Sequence, residues 1–353
     1  MPRCARLRLL AALPICAAAC AAILALPACG TTPSNLKPQV TRTPTARSTD
    51  QRVTTYRLPA HVLTGYWQDF TNGAKPLRLA DVPTTYNLVA VSFGTATRTP
   101  GQVGFSVGSD LASALGGYTK AEFINDIHTL HSRGQEVILS AGGADGTITV
   151  NDAAAATNFA DSVFSLMRQY GFDGVDVDLE NGLNPDYMAS ALQQLAAKAR
   201  GVIITLAPEI PGMQSPSASY FQLALKIKNI LTLVNTQYYN SDPIRGCNGK
   251  TYAPGTEDFL TAQACTLLQG GLSPDQISLS LPASRSGATN GYVEPSVVNN
   301  ALDCLAGGSN CGSFKPTSTY PAIRGAADWS VNWDAANGYG YASTIAPNLG
   351  TLP

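Results

Sequence analysis

Charge is scarce in this sequence. Only 13% of its 353 residues are Asp, Glu, Lys or Arg, about half the usual share of roughly 25%. Lysine and arginine form no cluster beyond the N-terminus and the net charge is −1, which argues against nucleic acid as a partner. Histidine is scarcer still, at His61, His128 and His131, and no Cys-x-x-Cys occurs. That combination disfavours a zinc site, and nothing else calls for a metal or a cofactor. A hydrophobic share of 44% is nevertheless enough for a sizeable core. Gly, Ser, Thr, Asn and Ala fill the polar surface, a pattern that suits an exported protein and not a charged, disordered one.

The N-terminus supports export. Arg3, Arg6 and Arg8 precede an apolar stretch from Leu9 to Leu26, so residues 1–28 read as a signal peptide. Leu26-Pro-Ala-Cys29 resembles a lipobox. Cys29 is then a lipid attachment site, holding the protein at the outer face of the cell membrane, unless the stretch is cleaved ordinarily near Ala28 or retained as an anchor. Losing 1–28 removes three of 23 basic residues and no acid, leaving 20 − 24 = −4. Residues 29–56, rich in Thr, Pro, Ser and Arg, read as a linker, and 57–353 as one monomeric domain. Of eight cysteines, Cys247, Cys265, Cys304 and Cys311 fall in that domain. An oxidising compartment favours two disulfides among them. Of the three pairings, Cys247–Cys265 with Cys304–Cys311 closes the shortest loops and is favoured.

Eight apolar runs punctuate the domain: Val62–Trp67, Asn87–Phe93, Glu136–Ala141, Gly174–Leu179, Val202–Ala207, Leu231–Tyr238, Gln276–Leu281 and Ala326–Trp329. Near-continuous apolar strands are buried on both faces, as in a parallel sheet. Helical spacing of apolar residues appears between several of them, at 120–132, 154–170 and 186–200. The fold class expected is α/β, a TIM (β/α)8 barrel, whose function sits at the C-terminal strand ends.

The fourth run is unusual. In Asp173-Gly-Val-Asp-Val-Asp-Leu-Glu180, alternation puts Val175, Val177 and Leu179 on one face and Asp176, Asp178 and Glu180 on the other, each ~6.6 Å from the next. With the apolar set against helices, the acids point into the barrel. Like charges in such a channel raise one another's pKa, so a proton is held by the outermost acid or shared. A general acid needs that proton. Three unpaired acids in register make a poor structural device, and a divalent metal is the weaker functional alternative.

The pattern Asp-Gly-x-Asp-x-Asp-x-Glu resembles the signature of the family-18 glycoside hydrolases, chiefly chitinases. Gly65-Tyr-Trp-Gln-Asp-Phe-Thr-Asn-Gly73 is similar to the first-strand segment of single-domain bacterial members of the chitinase D type. Ser140-x-Gly-Gly143, Leu206-Ala-Pro-Glu209, Gln237-Tyr-Tyr239-Asn240 and Trp329-Ser-x-Asn-Trp-Asp334 resemble further strand-end motifs in the family's order. The resemblance implies hydrolysis of chitin or N-acetylglucosamine oligomers with retention, the substrate's own acetamido oxygen acting as nucleophile. By the same resemblance Glu180 is the acid/base and Asp178 holds the acetamido N–H. Asp176 shares a proton with Asp178, and Tyr239 donates to the acetamido oxygen. Gln237 and Asn240 position that group, Trp329 forms an apolar floor, and Tyr66, Trp67, Ser140 and Gly143 are further substrate contacts, Trp67 being equally readable as core. Only about 44 residues separate the seventh and eighth runs, so the α+β insertion common in the family is not expected, and the groove should be open and suited to internal cleavage. No carbohydrate-binding module is visible. An endo-β-N-acetylglucosaminidase acting on N-glycans shares this signature. A catalytically weak chitin-binding relative is opposed by the presence of Glu180, Asp178 and Tyr239.

Overall fold

A computed structural model describes residues 58–353. The leader expected over 1–28, Cys29 and the linker expected over 29–56 lie outside the described residues. Eight parallel strands form the sheet: β1 Val62–Gln68, β2 Leu88–Ala96, β3 Glu136–Gly142, β4 Gly174–Asp178, β5 Ile203–Leu206, β6 Leu233–Gln237, β7 Ile277–Pro282 and β8 Gly325–Trp329. Neighbours in this order pair, and β1 pairs with both β2 and β8, Gly65 lying opposite Val89 and Asp328. The sheet is thus a closed barrel with no open edge in its ring. The eight apolar runs become its eight strands, with small shifts at their ends.

Alternation along each strand builds two cores. Outward residues such as Leu63, Val89, Val137, Leu139, Val175, Val177, Ile204, Val234 and Leu279 join the helices in one continuous cluster. Inward, Val62, Leu88, Ile138, Ile203 and Leu233 plug the N-terminal end of the barrel. Above that plug the interior turns polar, with Thr64, Ser140, Asp176, Thr205 and Asn235 all buried.

The surrounding helices are α1 Lys120–Ser132, α2 Ala153–Tyr170, α3 Pro185–Lys198, α4 Ser219–Lys226, α5 Glu257–Gln269, α6 Pro295–Gly307 and α7 Gly340–Leu349, with short helices at Ser109–Ala114 and Val331–Ala336. Local chemistry sets their ends. Thr119 and Glu122 form a capping box before α1, which buries Phe123, Ile127 and Leu130. Asp152 caps α2, and Gly171, at φ +93°, ends it in the left-handed conformation that glycine adopts at least cost. Asn184 caps α3, with Pro185 in the first turn where its missing N–H costs nothing. The (β/α) repeat is irregular at its start: one 3-10 turn, Leu79–Asp81, stands between β1 and β2. Between β7 and β8 there is α6 with loops, and no inserted α+β domain. Cys247–Cys265 and Cys304–Cys311 form the two disulfides, the pairing with the shortest loops. The first joins the loop after β6 to α5, and the second ties the end of α6 to the chain that follows.

Candidate active site

The acids of β4 rise through the barrel in steps. Asp176 is fully buried. Ser140 Oγ donates to its Oδ2 at 2.7 Å and Thr205 Oγ1 to its Oδ1 at 2.5 Å. Burial raises its carboxyl to about 6 against the pull of these hydroxyls. Asp178, one step up, accepts from Gln237 Nε2 at 3.1 Å. Burial, then the charges of Glu180 and Asp176, push its carboxyl well above the usual range. Glu180, two residues beyond the strand, is half-buried and accepts from the same Gln237 amide at 3.3 Å. Burial raises it, with added repulsion from Glu209 and Asp145, while hydrogen bonds from Gln237 and Asp178 pull it down.

Asp178 and Glu180 raise one another's cost of ionisation, and the Gln237 amide, which reaches both, holds the two carboxyls side by side. The sequence expectation is a proton shared by Asp176 and Asp178; in the structure the Ser140 and Thr205 hydroxyls donate to both oxygens of Asp176.

Above the acids opens a cleft of about 680 Å³. Its apolar wall is aromatic: Phe93 stacks on Trp329 with centroids 5.7 Å apart and on Phe70 at 6.1 Å. Such a surface matches the C–H face of a sugar ring. Tyr239 and Gln237, at the end of β6, line the cleft beside Asp178 and Glu180. Gly143 stands at φ +81°, and a Cβ there would lie 2.7 Å from the Phe93 ring. Only glycine lets the β3 loop pass so close to this wall.

The structure brings Asp178, Glu180, Gln237, Tyr239, Asn240, Trp329 and Gly143 to one cleft. Asn240 is exposed at its rim, and its Oδ1 accepts from the Thr289 N–H and hydroxyl, both at 2.8 Å, so it also ties down a neighbouring loop. Tyr66 and Ser140 sit beneath the cleft: Ser140 holds Asp176, and the Tyr66 hydroxyl accepts from Asn235 Nδ2 at 3.2 Å. Trp67 is core and not a sugar platform. It is on the outward face of β1 with Leu63, is fully buried, packs on Phe123 and donates its indole N–H to Leu77 O.

Among the cleft residues to which the sequence assigns no role are Asp69, Phe70, Phe93 and Asp145. Phe93 shares parity with the outward Val89 and Val91, but the β2–β3 register slips between Ser92 and Gly94, and a bulge re-aims a side chain. Asp69 follows β1, and its Oδ1 accepts from Phe93 N at 3.1 Å. Burial pushes its carboxyl to about 8. At the opposite end of the barrel His131, Glu136 and Asp173 bring ligand-type atoms within 4.8 Å of one another. There His131 Nε2 lies 2.7 Å from Asp173 Oδ2, which also accepts from Val137 N; this linkage ties α1 to β3 and β4 away from the cleft.

Comparison with known proteins agrees with this geometry. Glycosyl hydrolases family 18 is the family whose profile matches the chain, over residues 62–348. Chitinase Chi52 of Paenibacillus xylanexedens is 35% identical over 330 residues, covering 82% of this chain and 62% of that protein. Chitinase D of Niallia circulans is 32% identical, with the same 82% and 62% coverage. The chain thus spans about three fifths of the length of these curated relatives. Among solved structures, a Streptomyces coelicolor protein described as a chitinase A is 54% identical, with a TM-score of 0.81 covering 83% of this chain and 99% of that one. A family GH18 chitinase from Chromobacterium violaceum is 32% identical, with a TM-score of 0.76 covering 85% and 86%.

Proposed function

This chain belongs to glycosyl hydrolase family 18, and from that premise we propose that it is a secreted, endo-acting chitinase that cleaves β-1,4 bonds between N-acetylglucosamine units with retention, by substrate assistance. The observation that carries the reading is the placing of Asp178 and Glu180, joined through the Gln237 amide, beside Tyr239 at the mouth of a cleft with an aromatic wall.

An acetamido N–H that donates to Asp178 stabilises its ionised form. The proton that burial and mutual repulsion retain on this pair then resides on Glu180, so a correctly seated sugar arms the acid. Glu180 gives this proton to the glycosidic oxygen as the C1–O bond breaks. The acetamido carbonyl oxygen attacks C1 from the opposite face and forms an oxazolinium ion, its positive charge facing Asp178. The Tyr239 hydroxyl, beside both acids, orients that carbonyl. Water then adds to C1 from the side the leaving sugar vacated, as the bond from C1 to the acetamido oxygen breaks and the acetamide is restored. Glu180 takes its proton, and the product keeps the β configuration. Asp176, held by two hydroxyls, fixes the register of Asp178 from below.

Endo action is supported by the cleft's form: a 3-10 turn at Arg285–Gly287, α6 and loops stand between β7 and β8, leaving no insertion to wall off an end. Export is supported by Arg3, Arg6 and Arg8 ahead of the apolar stretch, and by two disulfides, which persist in oxidising compartments. The test is a pair of substrates. N-acetylglucosamine oligomers should be cleaved at internal bonds, and the fully deacetylated polymer should resist. Cleavage of both at equal rates would remove the acetamido nucleophile from the mechanism.

A further inference from the structure

The mechanism uses two cleft carboxylates and leaves three unused: Asp69, Asp145 and Glu209. Among the described residues no Lys, Arg or His lines the cleft. None of the five ion pairs among the described residues involves Asp145 or Glu209. Exposed acids free of a cation are ordinary on a surface, but these two are exposed inside a substrate groove, and their backbones are fixed around Glu180.

Asn181, next to Glu180, donates its side-chain amide to Ala144 O at 2.8 Å and to Gly146 O at 2.9 Å. That clamp holds Asp145 between the two carbonyls, on the β3 side of the acid. On the β5 side, Gln237 N donates to Pro208 O at 2.9 Å and Glu209 forms a bridge with Gln237. The side chain of that same Gln237 reaches both Asp178 and Glu180. Asp145 and Glu209 therefore bracket the acid from the neighbouring strands. Both repel its negative charge, after burial as the main cause of its raised pKa.

We infer that Asp145 and Glu209 form a cation-accepting pair that selects glucosaminium units flanking the cleaved bond, making partially deacetylated chitin a preferred substrate of this cleft. The inference rests on the proposed chitinase reaction. The sugar whose C1 is attacked must keep its acetyl group, since that group is the nucleophile. A flanking sugar has no such duty, and a protonated amine on either side of the acid meets a carboxylate with which no cation among the described residues pairs. An uncharged acetamide in the same place gains nothing from it. Contacts of this exposed kind contribute about two- to fivefold each, and salt screens them.

The experiment compares kcat/KM on a fully acetylated hexamer with kcat/KM on partially deacetylated chitin of matched length, at mildly acidic pH, for the wild type, Asp145→Asn and Glu209→Gln. The ratio of deacetylated to acetylated substrate should favour the former in the wild type. It should fall about two- to fivefold in each variant, and drop toward the variant value when salt is raised. Mass spectrometry of wild-type products should show acetylated new reducing ends with glucosamine enriched at flanking positions, and that enrichment should weaken in the variants. A ratio unmoved by either substitution and by salt overturns the inference while leaving the chitinase reading intact. Failure to cleave the acetylated hexamer overturns the chitinase reading itself.

Discussion

Two groups of carboxyls lifted mainly by burial lie on opposite faces of the sheet, one inside the barrel at β4 and one outside it at β8. Inside, Asp178 and Glu180 are held together by the Gln237 amide. Outside, Asp328 of β8 and Asp334 of the following short helix meet at the Tyr86 hydroxyl, 2.5 Å from one and 2.7 Å from the other. One hydroxyl carries one hydrogen, so the second contact needs a proton on a carboxyl. In both groups burial is the main cause lifting the acids above their usual range. The difference is occupancy. Asp334 also accepts from Tyr341 N and Ala342 N, and Asp328 from Tyr66 N. These partners come from β1, β8 and the C-terminal helices, so the outer group staples the last elements onto the first. The inner group faces a cleft of about 680 Å³ with lone pairs to spare. A perturbed acid by itself does not separate catalysis from architecture; an unfilled side facing a substrate-sized space does.

Substitutions at the two groups should therefore divide cleanly. Glu180→Gln keeps the shape and removes the proton, and should cost about 10²–10⁴-fold in kcat on chitin oligomers while oligomer binding, read by calorimetry, persists. Retention of more than a few per cent of the rate would place the acid elsewhere. Tyr86→Phe, on the other side of the wall, strands two carboxyls. It should lower stability by about 1–3 kcal/mol in denaturant titration, with kcat of the folded fraction unchanged. A kcat loss matching that of Glu180→Gln would erase the distinction between the two groups.

A smaller effect concerns the whole set. Asp176, Glu136 and Asp69 are lifted from their ordinary values to about 6, 7 and 8. Each binds its proton more tightly folded than unfolded. The stability they contribute is complete below about pH 4 and is lost as pH rises through those values. His131, also raised, by its bond to Asp173 against the cost of burial, acts in the same sense. The melting temperature should fall as pH goes from about 5 to about 8, and a rise across that window would contradict the burial-driven shifts.

Much of this was legible in the sequence because parity is a local rule. Eight apolar runs fixed the strands, and alternation in β4 aimed the acids inward. The same rule, applied to β1, sets Trp67 with Leu63 outside the barrel and Tyr66 inside. It places Ser140 inward too, but it says nothing of depth, and Ser140 proves to be a support for Asp176 and not a substrate contact. What parity could not reach lies where it breaks or ends. The register slip at Ser92/Gly94 turns Phe93 into the cleft. Asp69, Phe70, Asp145 and Glu209 stand on loops beyond the strands, where direction is set by partners far along the chain. The outer group joins Tyr86 to residues more than 240 positions away, and no local pattern announces it.

The central claim is that the sugar's own acetamido group attacks C1 while Glu180 serves in turn as acid and base. Proton NMR of the first products from an N-acetylglucosamine oligomer, read before mutarotation, tests it most directly. The account predicts β-anomers at the new reducing ends. A majority of α-anomers would mean direct displacement by water and would contradict it.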